Sequence, residues 1–108
     1  YYNRGNAKSE LKDYQGAIAD YNKAIEISPM YFGAYHNRGN AKDELKDYQG
    51  AIVDYTKAIE INPEYANAYV NRAVSKYFLG DSKGGCDDVR KAANLGDERS
   101  AEWVKKEC

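Results

Sequence analysis

The stretch YHNRGNAKDELKDYQGAIVDYTKAIEINPEY, residues 35–65, decides the fold, because almost the same residues occur once more 34 positions earlier. Residues 1–31 and 35–65 are identical at 25 of 31 positions. They differ at Tyr2/His36, Ser9/Asp43, Ala19/Val53, Asn22/Thr56, Ser28/Asn62 and Met30/Glu64. A looser copy begins at Tyr69, again 34 positions further on. Repetition at a fixed period of this kind is typical of stacked repeat proteins, so the chain is predicted to be a row of similar units.

Each unit is predicted to contain two helices. In the second half of the middle copy, apolar residues recur at steps of three and four, which places them on one helix face: Tyr48, Ala51, Ile52, Tyr55, Ala58 and Ile59. Asp47 can cap the start of this helix, and Pro63 prevents it from continuing. Gly39 lies in the middle of the first helix, where glycine costs about 1 kcal/mol relative to alanine. That cost indicates that another helix passes too close to Gly39 for a side chain.

The period and these residues resemble the tetratricopeptide repeat (TPR) family, in a style similar to that of its bacterial members. The positions that carry the resemblance are Tyr35, Gly39, Tyr48, Ala51, Tyr55, Ala58 and Pro63, with their counterparts Tyr1, Gly5, Tyr14, Ala17, Tyr21, Ala24 and Pro29. The resemblance implies an all-α fold in which three helix-turn-helix repeats stack into a right-handed solenoid with a concave groove. Family members mostly bind proteins or peptides in that groove.

The chain is predicted to form a single TPR domain of three repeats and a capping helix, at about 1–31, 32–65, 66–96 and 97–108. The last helix has the polar outer face that the terminal element of a solenoid needs, with Trp103 expected to face inward. Tyr1 corresponds to Tyr35 inside a helix. The sequence is therefore expected to be a fragment of a longer protein.

Composition argues against several classes of function. Sixteen basic and 17 acidic residues leave a formal net charge of −1 without long blocks of one sign, so nucleic-acid binding is not expected. Apolar residues are interrupted every few positions, so no membrane-spanning segment is expected. The only histidine, His36, lies two units from the cysteines, which argues against a zinc site. No catalytic turn or phosphate-binding loop is recognisable, so neither an enzyme nor a cofactor is expected.

Charged residues recur at the period of the repeat: Arg4, Arg38, Arg72, Asp20, Asp54 and Asp88. Such recurrence predicts structural ion pairs between adjacent helices, since a planar guanidinium can bond a carboxylate bidentately. Two pairings remain open for the later arginines, namely Arg38 with Asp20 or Asp54, and Arg72 with Asp54 or Asp88. Breaking a fully buried pair should cost about 3–5 kcal/mol.

In the family, the first helix of each repeat lines the groove. Transferred to this chain, the resemblance implies a ligand groove of Tyr2, Asn6, His36, Asn37, Asn40, Asn67, Val70, Asn71, Val74, Tyr77 and Phe78. Asparagine amides offer both donors and acceptors, which suits a peptide backbone. Val74, Tyr77 and Phe78 are predicted to form an apolar anchor. The predicted function is a non-catalytic scaffold that binds a peptide or protein segment.

Some family members grip the acidic C-terminal tails of heat-shock chaperones with two asparagines and three basic residues. Asn6 and Asn37 match the asparagines, whereas the basic positions hold Tyr2, Asn67 and Asn71. A terminal carboxylate would find no charge-assisted partner here. This type of ligand is therefore not expected.

Two cysteines lie in the C-terminal third, and two interpretations of them remain open. Cys86 lies ten residues before Gly96 and Cys108 twelve residues after it. If Gly96 is the turn of a helical hairpin, both cysteines lie at the same end, and a disulfide is geometrically reasonable. Such a bond would be worth roughly 3 kcal/mol and would imply an oxidising compartment. The alternative is two free thiols, with Cys86 packed in place of isoleucine. The location of the protein stays open.

The N-terminal end is predicted to lack a cap, since Tyr1 and Tyr2 begin directly at a packing surface. A second copy of the chain could dock on that surface end to end. Self-association through the repeat ends is therefore the alternative function. The competing interpretation of this end is a monomer whose first helical turn is frayed.

Overall fold

The computed structural model describes residues 1–108 as seven α-helices joined by short turns, with no strand. The helices are α1 (Tyr2–Glu10), α2 (Tyr14–Ile27), α3 (Phe32–Glu44), α4 (Tyr48–Ile61), α5 (Ala66–Phe78), α6 (Ser82–Asn94) and α7 (Glu98–Glu107). Each helix packs mainly against its neighbours in the chain, which produces a stack of 39 × 24 × 20 Å. The predicted fold class is confirmed, with three helix pairs and a final single helix. None of the helices combines the length and apolar character needed to cross a bilayer.

The turns within the helix pairs, and the turn before α7, follow from a repeated pair of residues. Four aspartates cap the following helix by accepting a hydrogen bond from the backbone N–H three residues later: Asp13, Asp47, Asp81 and Asp97. The residue before each aspartate has a positive φ, which is 63° at Lys12, 64° at Lys46, 84° at Gly80 and 102° at Gly96. A Cβ is strained in this left-handed backbone, so the two lysines occupy positions that favour glycine.

A tyrosine ring lies on a glycine in each of the first two helix pairs. A Cβ built at Gly39 would lie 2.7 Å from Cε1 of Tyr55, which is fully buried. Gly5 and Tyr21 make the same contact between α1 and α2. The glycine predicted to mark a close helix approach therefore does so, and the group that approaches it is the tyrosine ring on the partner helix.

The third helix pair makes this contact in the opposite direction. Ala73 and Val89 stand where the other pairs have the glycine and the tyrosine. The glycine is now Gly85 on α6, where a Cβ would lie 2.7 Å from Cζ of Tyr77 on α5. The ring has moved from the second helix of the pair to the first, and the glycine has moved from the first helix to the second.

Each recurring arginine pairs with the aspartate of its own helix pair. Nε and Nη2 of Arg38 donate to the two carboxylate oxygens of Asp54 at 2.9 and 2.7 Å, and Nζ of Lys42 lies 3.1 Å from the same carboxylate. Of the partners left open by the sequence, the structure has Asp54 for Arg38 and Asp88 for Arg72. Sequence reasoning missed the second cation in each cluster, which is Lys8, Lys42 or Lys76.

The clusters differ in exposure. The Arg4 side chain is 61% exposed, whereas that of Arg38 is 18% exposed. Hydrogen bonds from Arg4 lower the pKa of Asp20 to about 2. Arg38 also reaches the preceding helix pair, since its Nη1 donates to Oδ1 of Asn22 at 2.7 Å. The arginine thus links two repeats as well as the two helices of one repeat.

The last helix is held loosely compared with the middle of the stack. Ser100 is the only buried residue of α7, whereas α4 buries Ala51, Asp54, Tyr55 and Ala58. Trp103 was expected to face inward, but it is 43% exposed and packs on the ring of Tyr77 at a centroid distance of 5.8 Å. The inward position on α7 is occupied by a small residue, and Trp103 lies at the edge of a cavity.

Candidate functional site

The odd-numbered helices form one side of the stack. Helices α1 and α3, and then α3 and α5, pack against each other in addition to their chain neighbours. The even-numbered helices lie outside them. Because α1, α3 and α5 are the more closely spaced set, they form the inner, concave wall. The residues that the sequence assigns to a ligand groove all lie on these three helices.

Asparagine side chains link each odd-numbered helix to the next. Nδ2 of Asn37 donates to Oδ1 of Asn6 and to the hydroxyl of Tyr2, both at 2.9 Å. The same arrangement recurs one step on, where Nδ2 of Asn71 donates to Oδ1 of Asn40 at 3.1 Å. The structure thus brings four of the five predicted asparagines together, and two of them, Asn37 and Asn71, use their N–H groups within this network.

Each asparagine of this ladder keeps one amide group that makes no hydrogen bond to another side chain. The hydroxyls of Tyr21 and Tyr55 donate to Oδ1 of Asn6 and Asn40, each at 2.6 Å. Asn6 and Asn40 therefore keep free Nδ2 donors. The free acceptors are the Oδ1 atoms of the other two, Asn37 and Asn71. Alternating donors and acceptors along the wall suit the alternating groups of an extended peptide backbone.

His36 is an internal residue. Its side chain is 6% exposed and packs against the rings of Tyr55 and Tyr65, with centroid distances of 5.6 and 4.9 Å. Its Nε2 lies 2.8 Å from Nδ2 of Asn71, which donates to it when the imidazole is neutral. Burial lowers the pKa of His36 and favours that neutral form. His36 therefore links α3 to α5, and its buried side chain leaves little surface for the ligand contact that the sequence predicts.

The groove wall carries carboxylates and no free cation. Helices α1, α3 and α5 hold six basic residues, and all of them pair with an aspartate of α2, α4 or α6: Arg4, Lys8, Arg38, Lys42, Arg72 and Lys76. The other charged residues of these helices are Glu10, Asp43 and Glu44. Glu10 lies beside Asn6 and Asn37 in a polar cavity of about 300 Å³. The electrostatic character of this end of the groove is therefore acidic.

An apolar pocket of about 270 Å³ lies at the other end, between α5, α6 and α7. Val70, Val74 and Tyr77 form its wall on α5, with Asn67 at the same wall. Val74 is 40% exposed, which makes this wall accessible. The opposite wall comes from the start of α7 and contains Asp97, Arg99, Ser100 and Trp103.

The pocket is present because the third helix pair has a valine where the first two pairs have a tyrosine. Val89 and Ala73 line it, and they stand where Tyr55 and Gly39 stand in the middle pair. In the middle pair the tyrosine ring fills the corresponding space and its hydroxyl reaches Asn40. Valine is much smaller than tyrosine, and the one methyl group of Ala73 replaces only part of the lost volume. An opening toward the groove results.

Sequence reasoning missed the wall that α7 supplies, although a signal was present. Trp103 lies 34 positions after Tyr69, so α7 occupies the place of the first helix of a fourth unit, where groove residues are expected. Phe78 was predicted to belong to the apolar anchor, but it does not line the pocket. Its ring stacks on that of Tyr48 at 4.8 Å, at the junction of α5 with α4.

The hydroxyl of Tyr77 connects the pocket to the disulfide between Cys86 and Cys108. The two cysteines have a Cα–Cα distance of 5.9 Å and join α6 to the residue after α7. The Tyr77 hydroxyl lies 3.4 Å from Sγ of Cys86 and accepts a hydrogen bond from Nε1 of Trp103 at 2.9 Å. The pairing that the sequence left open is present, and it lies directly behind the pocket.

Comparison with protein families identifies the architecture. Residues 5–45 match a TPR repeat model, and residues 33–65 match a tetratricopeptide repeat model. The chain belongs to the tetratricopeptide repeat family. TPR domains are protein-interaction scaffolds and generally non-catalytic. No curated protein matches the sequence.

Solved TPR domains superpose on almost the whole chain. The Arabidopsis OM64 TPR domain is 29% identical, with a TM-score of 0.89 over 97% of this chain and 88% of that one. The first TPR of Spaghetti (RPAP3), bound to the HSP90 peptide SRMEEVD, is 23% identical, with a TM-score of 0.90 over 97% and 85%. Its second TPR, bound to the same peptide, is 26% identical, with a TM-score of 0.85 over 87% of each chain.

Proposed function

We propose that this TPR domain is a non-catalytic scaffold that binds a segment of another protein in its concave groove. One apolar side chain of that segment enters the pocket between α5 and α7, and its backbone lies along the free amides of α1, α3 and α5. The observation that carries the proposal is the pocket itself, since an accessible apolar cavity at the end of a line of unused donors and acceptors is typical of a ligand site.

The size of the pocket supports a single side chain as the occupant. A cavity of about 270 Å³ lined mostly by apolar residues accommodates a leucine, methionine or aromatic side chain. Burying such a group is worth roughly 1.5–3 kcal/mol. That contribution suits an anchor residue, with further affinity supplied by backbone hydrogen bonds to Asn6 and Asn40 on one side and Asn37 and Asn71 on the other.

The charges of the groove select against acidic segments. The second TPR of Spaghetti is bound to the peptide SRMEEVD, which contains three acidic residues. In the present chain every cation of α1, α3 and α5 is paired internally, and Glu10, Asp43 and Glu44 remain. We therefore infer that the preferred segment is neutral or basic where it passes Glu10, Asp43 and Glu44, whereas the wall of the pocket carries one charge of each sign, Asp97 and Arg99. Repulsion from like charges disfavours an acidic one.

Two matched peptides test this inference. SRMEEVD and its charge-reversed form SRMKKVK differ only at the three acidic positions, and both offer a methionine for the pocket. We expect SRMKKVK to bind more tightly, with a change in the emission of Trp103, and the preference to weaken in high salt. Tighter binding of SRMEEVD would contradict the charge argument. Binding of neither peptide to the wild type would count against the groove as a ligand site.

A pair of crosslinking variants tests the position of the ligand in cell extracts. A photoreactive amino acid at Val74 lies in the pocket, whereas the same group at Val53 lies on α4 and is also exposed. We expect a specific adduct from position 74 that SRMKKVK suppresses, and none from position 53. Equal adducts at both positions would show that contacts are not confined to the groove.

Self-association through the N-terminal end is the second candidate, and one observation favours it. Tyr1, Ala24, Ile27 and Tyr31 line a small open cavity there, and Ile27 is largely exposed. Light scattering over a concentration series tests this candidate. A dimer that Ile27→Lys dissociates would support it, whereas a monomer at every concentration would exclude it.

A further inference from the structure

We propose that the disulfide between Cys86 and Cys108 is a redox gate on the apolar pocket. In the oxidised protein the disulfide holds α7 in place as one wall of the pocket, and reduction releases that wall. This inference concerns regulation of the site described under the proposed function and rests on that function for its biological meaning. The conformational change itself can be tested without any ligand.

The first support is the weak attachment of α7. Only Ser100 of its ten residues is buried, and the helix packs chiefly against α6. Isolated helices of this length are marginal in water, so their stability depends on packing. Little apolar burial is available here, since Trp103 is half-exposed and only Ala101 and Val104 are partly covered. The covalent bond is therefore a major part of what keeps α7 on the stack.

The second support is the position of the disulfide. It attaches the residue that follows α7 to α6, and its sulfur atoms lie 3.4 and 4.0 Å from the hydroxyl of Tyr77. The same hydroxyl accepts from Nε1 of Trp103. Four of the ten residues around the pocket belong to α7 or its cap, namely Asp97, Arg99, Ser100 and Trp103. Release of α7 would therefore remove one complete side of the pocket.

The third support is accessibility. Cys108 is exposed and Cys86 is partly exposed, so a thiol can reach the bond. Exposed disulfides are the ones that reductants act on most readily. A dithiol reductant attacks one sulfur as a thiolate and forms a mixed disulfide. Its second thiol then displaces the protein sulfur, so the reductant becomes a cyclic disulfide and Cys86 and Cys108 become thiols.

Trp103 is the only tryptophan of the chain, so its fluorescence reports on the pocket alone. We expect dithiothreitol to raise acrylamide quenching of Trp103 by roughly twofold, as local opening exposes the ring. The double variant Cys86→Ser/Cys108→Ser should show the same quenching without reductant. It also controls for effects of the reductant itself on the fluorescence. Amide hydrogen exchange should lose its protection in α7 and keep it in α3 and α4, which shows that the domain is still folded.

Unchanged Trp103 quenching and unchanged α7 protection, in both the reduced protein and the double serine variant, would overturn the gate. The peptide SRMKKVK then separates this inference from the proposed function. Tight binding by the oxidised protein that falls at least about tenfold on reduction supports both. A reduction-dependent Trp103 signal with no binding in either state supports the gate and contradicts the ligand. Equal binding in both states contradicts the gate and retains the groove.

Discussion

The middle and C-terminal helix pairs contain the same ring-on-glycine contact, but they build it from opposite helices. In the middle pair, Tyr55 of α4 packs on Gly39 of α3 and fills the space between the helices. In the C-terminal pair, Tyr77 of α5 packs on Gly85 of α6, and Val89 leaves space beside it. Both arrangements hold two helices together closely. Only the second has an apolar pocket beside the ring, so the helix that carries the ring decides whether the space between the helices is filled or open.

Both helix pairs contain a cluster of one arginine, one lysine and one aspartate. Removing the aspartate should reduce the free energy of unfolding more than any other change described below. Asp54→Ala leaves two cations without their partner, so the free energy of unfolding should fall by about 3 kcal/mol in urea denaturation. Asp88→Ala should have a similar effect, since Arg72 is as little exposed as Arg38. Asp20→Ala is the control, and its effect should be smaller because Arg4 is mostly exposed. Equal losses in all three would show that burial does not set the strength of the cluster.

Adding one carbon at Gly39 tests the ring contact of the middle pair. Gly39→Ala would place a methyl group 2.7 Å from the buried ring of Tyr55, and such overpacking should cost about 2 kcal/mol. The double variant Gly39→Ala/Tyr55→Val copies Ala73 and Val89 of the last pair, and its loss should be smaller than the sum of the losses of the two single variants, because the clash is absent. Chemical denaturation measures both. A neutral Gly39→Ala would mean that the ring does not hold the two helices at a fixed distance.

The opposite exchange should close the pocket. Ala73→Gly/Val74→Asn/Val89→Tyr gives the last pair the residues of the middle one, and the new ring should fill the pocket beside Tyr77. Affinity for SRMKKVK should fall about tenfold, which corresponds to about 1.4 kcal/mol. Circular dichroism verifies folding, and Val53→Asn is the control for an exposed valine outside the groove. Undiminished binding by a folded variant would place the ligand elsewhere.

The pH dependence of stability should distinguish the middle pair from the first one. The pKa of His36 is lowered in the folded protein, so the unfolded chain binds the extra proton first. The stability that neutral His36 contributes to the folded protein is therefore present above about pH 6.5 and is lost as the pH falls below that value. His36→Tyr copies Tyr2 of the first unit and removes the titration. Between about pH 7.5 and pH 5.5 the wild type should lose up to about 1 kcal/mol more than the variant.

Two conditions make this comparison interpretable. Burial raises the pKa of Asp43, so protonation of that carboxylate acts in the stabilising direction at lower pH, and it does so in the wild type and in the variant alike. Denaturation midpoints at constant ionic strength give the comparison. Parallel curves for the wild type and His36→Tyr would show that the imidazole does not titrate with folding.

The turns should give the smallest effect. Lys46 has φ of 64° in the middle pair, whereas Gly80 takes this position in the last one. Lys46→Gly should stabilise the domain by about 0.5 kcal/mol, because relief of the left-handed strain exceeds the added chain entropy. Gly80→Lys should destabilise it by a similar amount. Thermal midpoints measure both, and a loss of stability in Lys46→Gly would mean that the lysine side chain contributes more than the backbone strain costs.

Much of the fold can be predicted from short-range patterns. The 34-residue period, the apolar spacing around Tyr55 and the capping position of Asp47 predict two helices in each unit, and the structure contains them. The significance of Gly39 can also be predicted, because glycine in a helix needs a reason in the packing. These features depend on residues close together in the chain or repeated in it.

The site can be predicted only in part, because it depends on pairs of residues across helices. Val89 can be recognised as an exception, but the pocket follows from the combined volumes of Val89 and Ala73 and from the wall that α7 adds. His36 looks available on a helix wheel, whereas Tyr65 from the next turn closes over it. The partner of Arg38 was open because two aspartates lie one helix away, and only the reach of the side chain selects Asp54.

The fork of hydrogen bonds from Asn37 to Asn6 and Tyr2 has a consequence for the length of the array. The same donor positions meet equivalent acceptors at the next junction, where Asn71 bonds Asn40 and the residue that replaces the tyrosine. A duplicated segment of 34 residues would therefore find a matching junction on both sides. A longer groove can therefore be formed by adding copies of the repeat, because each added copy uses the same junction.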